Sequence, residues 1–563
     1  MPLTRRLPRL PRAGRLAPGP AALSAALREH AQLLPAVHSL CAAVAREGLR
    51  GGPLLCRLAE RVQCTGGCAP LAAAYARLAW HAHAQALRML TAWMAFGELA
   101  DPGLEFFVRR TTAEGAGGAE GDDDDGGAAE WHGAFGLVLA QLPPWLELGS
   151  AEAALFTGRA VRVLSQPRGA LSGDLQRQLL PPEAVEAAAA ALAALGCAPR
   201  LERWAVDSCV QKLRADAAGR LWTLMVQHAQ LPSHLGALRD YFLLGRGDFF
   251  EVFLEDARPL LALPPRPSGA AAAAAQPFAA AAAKCTAAED PLFSRLRLRF
   301  TPPPPAPAPE SADAAAAAHL PSLDGWDPLT LGYVREWPLG LLLTPQALDT
   351  YGSLFQYLFR LKRAQAALAV CWAPLRRRCG GGAAVTACLA LRHRFDALLG
   401  AWAHYCQVDC IAPAFAALTQ RVACARDWGE ASRAHAAFLA QLQGRLFLDS
   451  RPLARQLEAL FQLALALAAL ARGAEEAAEA GAAPGQQLLP LHRVQELDAH
   501  WRRQALALVA TLRGPKMAGA AGRAPALRLF LARLEESGLV PNAAALLAAP
   551  PTPGATPTLT TPR

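Results

Sequence analysis

A chain of 563 residues is too long for one hydrophobic core, so its length predicts two to four domains. The net charge of +9 would ordinarily suggest a nucleic-acid or anionic-membrane partner, but nearly all the basic residues are arginine, as a codon bias would produce. These arginines are scattered and form no stripe with interleaved aromatic residues, which argues against nucleic-acid binding.

The composition favours helices over sheets. Alanine, a strong helix former that packs thinly, supplies much of the hydrophobic fraction of 53%. Isoleucine occurs only at Ile411, and this shortage of β-branched residues argues against a large sheet, although a codon bias would have the same effect. We therefore expect an all-α fold of elongated, stacked helical bundles in two domains with low-complexity loop insertions.

The first residues, the best apolar window and the cysteines indicate the protein's location in the cell. Residues 1–20 are rich in arginine and proline, which weakly matches a transit peptide, but their prolines favour a disordered leader or a wrongly assigned start. The best apolar window, residues 459–471, is shorter than the roughly 20 residues that span a bilayer, so we expect no membrane insertion. Thirteen cysteines without the spacing of a disulfide scaffold indicate free thiols in a reducing compartment.

Apolar residues recur at three- and four-residue steps along most of the chain, which predicts a series of helices. The first clear one runs from Leu71 to about Leu99. Later stripes lie at residues 204–226, 348–361, 389–408, 431–448, 453–470 and 494–512. A division near Leu235 separates an N-terminal domain, residues 21–235, from a C-terminal domain, residues 236–548. A disordered tail is expected over residues 549–563.

Low-complexity segments interrupt these helices. They are rich in glycine, alanine or proline, and the first contains the acidic run at residues 122–125. We expect them to be loop insertions, since such composition buries too little apolar surface to offset the entropy of ordering. The segments are residues 111–130, 264–283, 301–317, 380–382 and 473–486.

Residues 240–250 are a strongly apolar, aromatic run that Gly245-Arg246-Gly247 interrupts. Two glycines around one charge predict a sharp turn or helix break among buried residues. If the turn uses positive φ, a β-branched residue at Gly245 or Gly247 should destabilise the fold. Arg246-Gly247-Asp248 matches a cell-adhesion tripeptide, but that role needs a secreted, exposed loop. The flanking phenylalanines favour a tightly packed corner between helices instead.

The residues that could bind a metal ion are explained more simply as parts of helices and turns. Two histidines two residues apart on a helix point about 200° apart, so His81 and His83 are poor partners for Cys64 and Cys68 in a zinc site. We therefore predict no metal or cofactor. Cys406 and Cys410 are equally well explained as helix core. No phosphate loop, nucleophile elbow or zinc-protease motif occurs, so we expect no enzyme.

His435 and Asp427 could assist proton transfer, because both fall on one predicted helix. Without a nucleophile or an oxyanion arrangement, a hydrogen-bonded core or interface histidine is the better interpretation of His435.

Several of these motifs, in this order, resemble the gamma-tubulin complex protein family. They are Leu142-Pro143, the block at residues 155–161, residues 240–250, Trp337-Pro338-Leu339, Gln407-Val408-Asp409 and Ala434-His435. The segment in which a helix ends before Glu105-Phe106-Phe107-Val108 also resembles that family, in which a strand-like run follows the helix. The resemblance covers roughly residues 22–534. Residues 529–536 differ from the ending that is usual in the family. The family's first helices, which precede the segment matching Leu33, have no counterpart in this sequence.

The resemblance implies a two-domain helical scaffold. The N-terminal half would pack beside other gamma-tubulin complex components, and the C-terminal half would bind gamma-tubulin, so that rings of such pairs template microtubules at spindle poles and other organising centres in the cytoplasm. Candidate contact residues are Arg360, Arg363, Asp427 and Arg433. Missing first helices would expose apolar stripes and promote self-association. The alternative is a helical tether or trafficking scaffold without affinity for gamma-tubulin.

Overall fold

A computed structural model describes residues 20–111, 131, 134–165, 173–198, 201–301, 325–372, 375, 382–425, 427–479, 489–514 and 524–536. The chain divides into two compact units. One comprises Met1–Ala229 with Glu336–Leu341, and the other comprises Gln230–Arg335 with Leu342–Arg563. The described residues are predominantly helical with two small sheets, which confirms the all-α prediction.

The first unit consists of seven described α-helices and a two-stranded sheet. They are α1 (Pro20–Glu47), α2 (Gly51–Cys64), α3 (Ala69–Phe96), β1 (Val108–Arg110), β2 (Phe135–Leu137), α4 (Leu148–Ser165), α5 (Gly173–Leu179), α6 (Pro182–Cys197) and α7 (Arg203–Thr223). A π-helical turn, Leu224–His228, follows α7. The strands β1 and β2 pair antiparallel, and Phe106 and Phe107 just before β1 are buried. The strand implied at this position therefore begins at Val108, directly after the Glu105-Phe106-Phe107 run.

Close packing of α3 against α4 organises the core of this unit. The indole of Trp93 is fully buried and donates from Nε1 to the Ala154 carbonyl oxygen at 2.9 Å. Gly158 makes room for this ring, because a Cβ there would lie 2.0 Å from Trp93 Cε2. The glycine in the 155–161 block is thus explained by helix–helix packing.

Alanine packs thinly elsewhere in the unit, as the composition suggested. A cavity of about 190 Å³ lies among α3, α4, α6 and α7. Its α6 wall is made of small side chains, at Ala184, Ala187, Ala188 and Ala191.

The second unit contains the remaining helices and a second two-stranded sheet. The elements before the long helices are α8 (Leu231–Ala237), a π-helical turn (Leu238–Phe242), α9 (Gly247–Asp256), α10 (Arg258–Leu261), α11 (Ala270–Lys284), β3 (Leu296–Phe300) and β4 (Leu329–Tyr333). The long helices are α12 (Pro345–Val370), α13 (Ala383–His404), a π-helix (Tyr405–Ile411), α14 (Ala412–Cys424), α15 (Trp428–Arg445), α16 (Arg451–Glu479), α17 (Leu491–Arg513) and α18 (Ala524–Glu536).

Residues 240–250 lie at the centre of the second unit's core. Phe242, Phe249 and Phe250 are each 0% exposed, so the prediction of burial is confirmed. The rings of Phe250 and Phe355 have centroids 5.9 Å apart, and those of Phe242 and Phe355 are 6.4 Å apart. The aromatic run therefore joins α9 to α12.

The left-handed residue of the turn within this run lies outside its two glycines. Neither Gly245 nor Gly247 has positive φ; the left-handed residue is Leu244, with φ of 54°. Close packing favours glycine at position 245, since a Cβ there would lie 3.0 Å from the Arg239 carbonyl oxygen, whereas one at Gly247 would meet nothing within 4 Å. The condition for strain at Gly247 is therefore not met, since a side chain there would meet neither positive φ nor a neighbouring atom.

Two predicted loop insertions are partly helical. Most of residues 264–283 falls in α11, whose Ala274, Phe278 and Ala281 are buried. A row of alanines with one phenylalanine packs here because α9 and β3 supply the apolar surface opposite. Helix α16 likewise continues to Glu479. Residues 112–130, 302–317, 380–381 and 480–486, the leader through residue 19 and the tail from residue 537 lie outside the described residues.

One helix within the described ranges, Arg451–Ala477, is long and apolar enough to cross a membrane by length and composition alone. It is longer than the apolar window that the sequence suggested. Half of its most apolar window is buried, and it packs against α12 and α17. A core helix of a soluble protein passes the same test.

Substituting Gly158→Ala tests the α3–α4 packing. The added methyl must displace the Trp93 indole, so we expect the free energy of unfolding to fall by about 1–3 kcal/mol in urea denaturation. Gly149→Ala is the matched control on the same helix, because a Cβ there meets nothing within 4 Å. That control should be neutral or stabilising by up to about 1 kcal/mol. Equal effects of the two changes would contradict this account of the packing.

Candidate protein-binding surface

Arg360 and Arg363 lie one turn apart on α12 and belong to one ion-pair cluster. Arg363 Nη1 donates to Asp327 Oδ1 at 3.2 Å. Arg360 Nη1 donates to Glu458 Oε1 on α16 at 3.2 Å, and its Nε lies 3.5 Å from Asp327 Oδ1. The cluster therefore ties α12 to α16 and to the segment just before β4.

Burial differs between the two arginines. The side chain of Arg363 is 4% exposed, and burial lowers its pKa to about 10, so the guanidinium stays charged at neutral pH. The side chain of Arg360 is 28% exposed. A partner could therefore reach Arg360 more easily than Arg363.

Asp427 and Arg433 lie at the start of α15. Asp427 is the N-cap, and its Oδ1 accepts a hydrogen bond from the Glu430 backbone N–H at 2.8 Å. This is the ordinary role of an aspartate before a helix. Arg433 is exposed and donates from Nε to the Gly429 carbonyl oxygen one turn earlier at 3.1 Å. Its guanidinium faces solvent and is available to a partner.

The structure thus groups the four candidates into two pairs. Arg360 and Arg363 share Asp327, whereas Asp427 and Arg433 occupy the first turns of α15. Asp327 and Glu458, which hold the arginines, were not singled out from the sequence. Their sequence separations from α12 are large, and no local pattern could have signalled the pairing.

His435 is a core residue, as interpreted from the sequence. It is 3% exposed, and its Nε2 lies 3.1 Å from the Tyr351 hydroxyl on α12. Burial lowers the pKa of His435 to about 4, so the ring is neutral at physiological pH. A neutral, buried histidine bonded to a tyrosine holds α15 against α12.

The family motif at Gln407, Val408 and Asp409 falls in the π-helix after α13. Gln407 Nε2 donates to the Leu243 carbonyl oxygen at 2.9 Å, next to the left-handed Leu244. The Asp409 carboxylate accepts from Arg533 on α18 at 2.5 and 3.2 Å. These two polar residues therefore hold other segments of the chain, and sequence reasoning had noted them without assigning that role.

The cysteines of this π-helix are core residues, as expected. Cys406 and Cys410 are both 0% exposed, and burial raises the pKa of Cys410 to about 11. Both thiols are therefore protonated near neutral pH, which makes them weak nucleophiles and weak metal ligands.

The other candidate metal ligands are engaged separately. His83 Nδ1 accepts from Trp145 Nε1 at 2.9 Å, and burial lowers the pKa of His83. Cys68 Sγ lies 3.4 Å from Gln32 Oε1. Across the described ranges, no three His, Cys, Asp or Glu side chains form a group that could hold a metal ion.

Comparison with known proteins identifies the family to which these motifs belong. The family described as Gamma tubulin complex component N-terminal matches residues 20–228, and Gamma tubulin complex component C-terminal matches residues 231–538. The chain belongs to the gamma-tubulin complex component family. All four candidate contact residues lie within the match to the C-terminal region of this family.

Individual relatives agree with the family match. Gamma-tubulin complex component 4 of Arabidopsis thaliana is 30% identical over 513 residues, covering 77% of this chain and 68% of that protein. Gamma-tubulin complex component 4 of Homo sapiens is 26% identical over 446 residues, covering 72% and 66%. Spindle pole body component alp6 of Schizosaccharomyces pombe is 25% identical over 290 residues, covering 50% and 30%.

Breaking the buried ion pair should destabilise the second unit. Arg363→Met leaves the Asp327 carboxylate with only the more distant Arg360, so we expect a loss of about 3 kcal/mol in the free energy of unfolding. Arg360→Met, at a more exposed site, should cost about 1 kcal/mol. Adding Asp327→Asn to Arg363→Met should recover part of the loss. A double variant no more stable than Arg363→Met alone would contradict the pairing.

His435 should make stability fall in mild acid. Below pH 6.5 the unfolded chain protonates this ring, whereas the folded chain does so only near pH 4. The free energy of unfolding should therefore fall by about 2 kcal/mol between pH 7 and pH 5. His435→Gln should be less stable at pH 7 but lose correspondingly less on acidification, measured by urea midpoints. His492→Gln, on the exposed face of α17, should keep the wild-type pH slope. Identical slopes for all three proteins would refute the assignment.

Proposed function

We propose that this chain is a structural component of a gamma-tubulin complex. Residues 236–548 would bind gamma-tubulin, residues 21–235 would bind neighbouring components, and the assembly would template microtubule nucleation at organising centres and spindle poles in the cytoplasm. The observation that carries the proposal is the match of both family regions, which together extend over residues 20–228 and 231–538.

The mechanism would be geometric rather than chemical. A template must hold its subunits at fixed spacing, which requires helices that resist bending. Buried aromatic contacts join α9 to α12, a buried hydrogen bond joins α12 to α15, and a partly buried ion pair joins α12 to α16. These contacts would supply such stiffness in the second unit. The nucleotide would come with gamma-tubulin, and this chain would act as a scaffold and not as an enzyme.

Arg433 and Asp427 are the stronger candidates for direct contact with gamma-tubulin. Arg433 is exposed, and Asp427 fixes the helix start from which that arginine projects. Arg360 and Arg363 would contribute chiefly by fixing α12 against α16, although the partly exposed Arg360 could also touch a partner.

The lateral role of the first unit is supported by exposed apolar side chains on α1 and α3. Leu34 is 62% exposed, Leu78 41% and Trp80 45%. Large apolar side chains left exposed in this way suit a protein contact better than water. We propose that neighbouring components cover them and that the chain without such a partner self-associates.

A charge reversal at Arg433 tests the gamma-tubulin contact. We expect Arg433→Glu in the complete chain to weaken binding to purified gamma-tubulin by about fivefold or more, measured by co-sedimentation at several concentrations. Arg421→Glu is the matched control, because Arg421 is an exposed arginine on the neighbouring helix α14.

The outcomes separate the two functional classes. If the wild-type chain does not bind gamma-tubulin at all, the alternative of a helical tether or trafficking scaffold replaces the proposal. If both reversals weaken binding equally, the contact is non-specific electrostatic attraction and the assignment of Arg433 is wrong.

A further inference from the structure

The strand β3 forms one edge of the second unit's sheet. It pairs antiparallel with β4 alone, in a register that places Leu298 opposite Leu331. Helix α12 packs against β4, where Thr330 Oγ1 donates to the Gly352 carbonyl oxygen at 3.4 Å. Among the described elements, no third strand pairs with the outer edge of β3.

Hydrogen bonds at the two ends of the pair fix which backbone groups face outward. Val334 N–H donates to the Arg295 carbonyl oxygen at 2.8 Å, and Thr301 N–H donates to the Pro328 carbonyl oxygen at 3.2 Å. Since inward and outward residues alternate in an antiparallel pair, Arg297 and Arg299 also direct their backbone groups toward β4. Leu298 therefore directs its N–H and carbonyl outward, as do Leu296 and Phe300.

These outward groups are mostly available. Leu296 is the exception, because its N–H donates to the Phe293 carbonyl oxygen and its carbonyl oxygen accepts from Arg297 Nη1 at 3.0 Å. Within the part of the chain that the structure describes, the outward backbone groups of Leu298 and Phe300 have no hydrogen-bond partner. Such a row of free donors and acceptors is a template for another strand.

The side chains of β3 add a chemical preference to this template. Arg297 and Arg299 lie on one face, are exposed, and form no ion pair with a described carboxylate. Arg297 Nη1 also donates to the Ser294 carbonyl oxygen at 2.7 Å, and the Arg299 guanidinium lies over Gly332 of β4. Leu298 and Phe300 lie on the other face and are half-buried, while α11 packs against the strand. A strand added here would meet positive charge on one face and apolar surface on the other.

We propose that β3 binds an extended acidic segment of a partner protein, which adds as a third, antiparallel strand. Its glutamates or aspartates would alternate with apolar residues, the acids facing Arg297 and Arg299 and the apolar residues facing Leu298 and Phe300. Backbone hydrogen bonds would supply much of the affinity, and the alternation would supply specificity. This site is separate from the proposed contacts on α15 and does not depend on gamma-tubulin binding.

Charge disfavours a second copy of this chain as the occupant. Antiparallel pairing of two β3 strands about Leu298 would place Arg297 of one copy opposite Arg299 of the other. Like charges directly opposite each other destabilise a strand pair, whereas opposite charges stabilise it. The two arginines thus oppose self-pairing and favour an acidic partner.

Peptide binding to the complete chain tests the proposal. A labelled seven-residue peptide that alternates valine and glutamate should bind at least about tenfold more tightly than one that alternates valine and lysine, measured by fluorescence anisotropy at low salt. N-methylation of the valine amides should abolish binding, because these amides would face Leu298. The same modification on the glutamate amides should preserve binding, since those amides would face solvent.

Variants of the chain complete the test. The double variant Arg297→Glu with Arg299→Glu should weaken binding of the glutamate peptide at least about tenfold and strengthen binding of the lysine peptide. Arg109→Glu with Arg110→Glu is the matched control, since it reverses two exposed arginines on β1 in the other unit. Circular dichroism should show the same helix content in both variants.

Three results would overturn the proposal. The first is no binding of the glutamate peptide at millimolar concentration. The second is equal loss of binding from both N-methylation patterns or from both double variants. The third is a dimer of the wild-type chain that Arg297→Glu with Arg299→Glu disrupts and the glutamate peptide does not, since this would make a second copy the occupant of the edge.

Discussion

Burial of one continuous aromatic network determines how the second unit is built. Ring contacts run from Phe293, beside β3, through Phe278 in α11 to Phe249 and Phe250 in α9. They continue through Phe355 and Phe242 to Tyr351 and His435. Each ring removes a large apolar area from water, and edge contacts between rings fix their orientation. Moving one of these elements would disturb the rings of its neighbours, so α9, α11, α12 and α15 pack together as one cooperative body.

The polar residues outside this network stabilise the fold and do not present reactive groups. Gln407 donates to the Leu243 carbonyl oxygen, Asp409 accepts from Arg533, and Arg363 forms an ion pair with Asp327. Buried polar groups need such partners, and once satisfied they specify one arrangement of helices. Groups left for a partner are those on outer surfaces, which suits a scaffold that binds other proteins.

Sequence patterns predicted the helices well, because apolar residues at three- and four-residue steps mark a buried face directly. They failed where the decisive contact was distant in sequence. Residues 264–283 look like a loop alone, yet they form a helix against α9 and β3. Similarly, Leu244, and neither of the glycines that follow it, takes the left-handed conformation in this turn. Arg360 and Arg363 were noticed, but their acidic partners Asp327 and Glu458 could be found only in three dimensions.

Hydrogen–deuterium exchange of the complete chain, with and without purified gamma-tubulin, tests the central claim most directly. If the second unit is a preformed scaffold, amides around Phe250 and Phe355 should be strongly protected before the partner is added. Gamma-tubulin should then slow exchange mainly at surface segments of that unit, including the start of α15 near Arg433. Slow exchange that appears across the aromatic core only on binding, or protection confined to the first unit, would contradict the account.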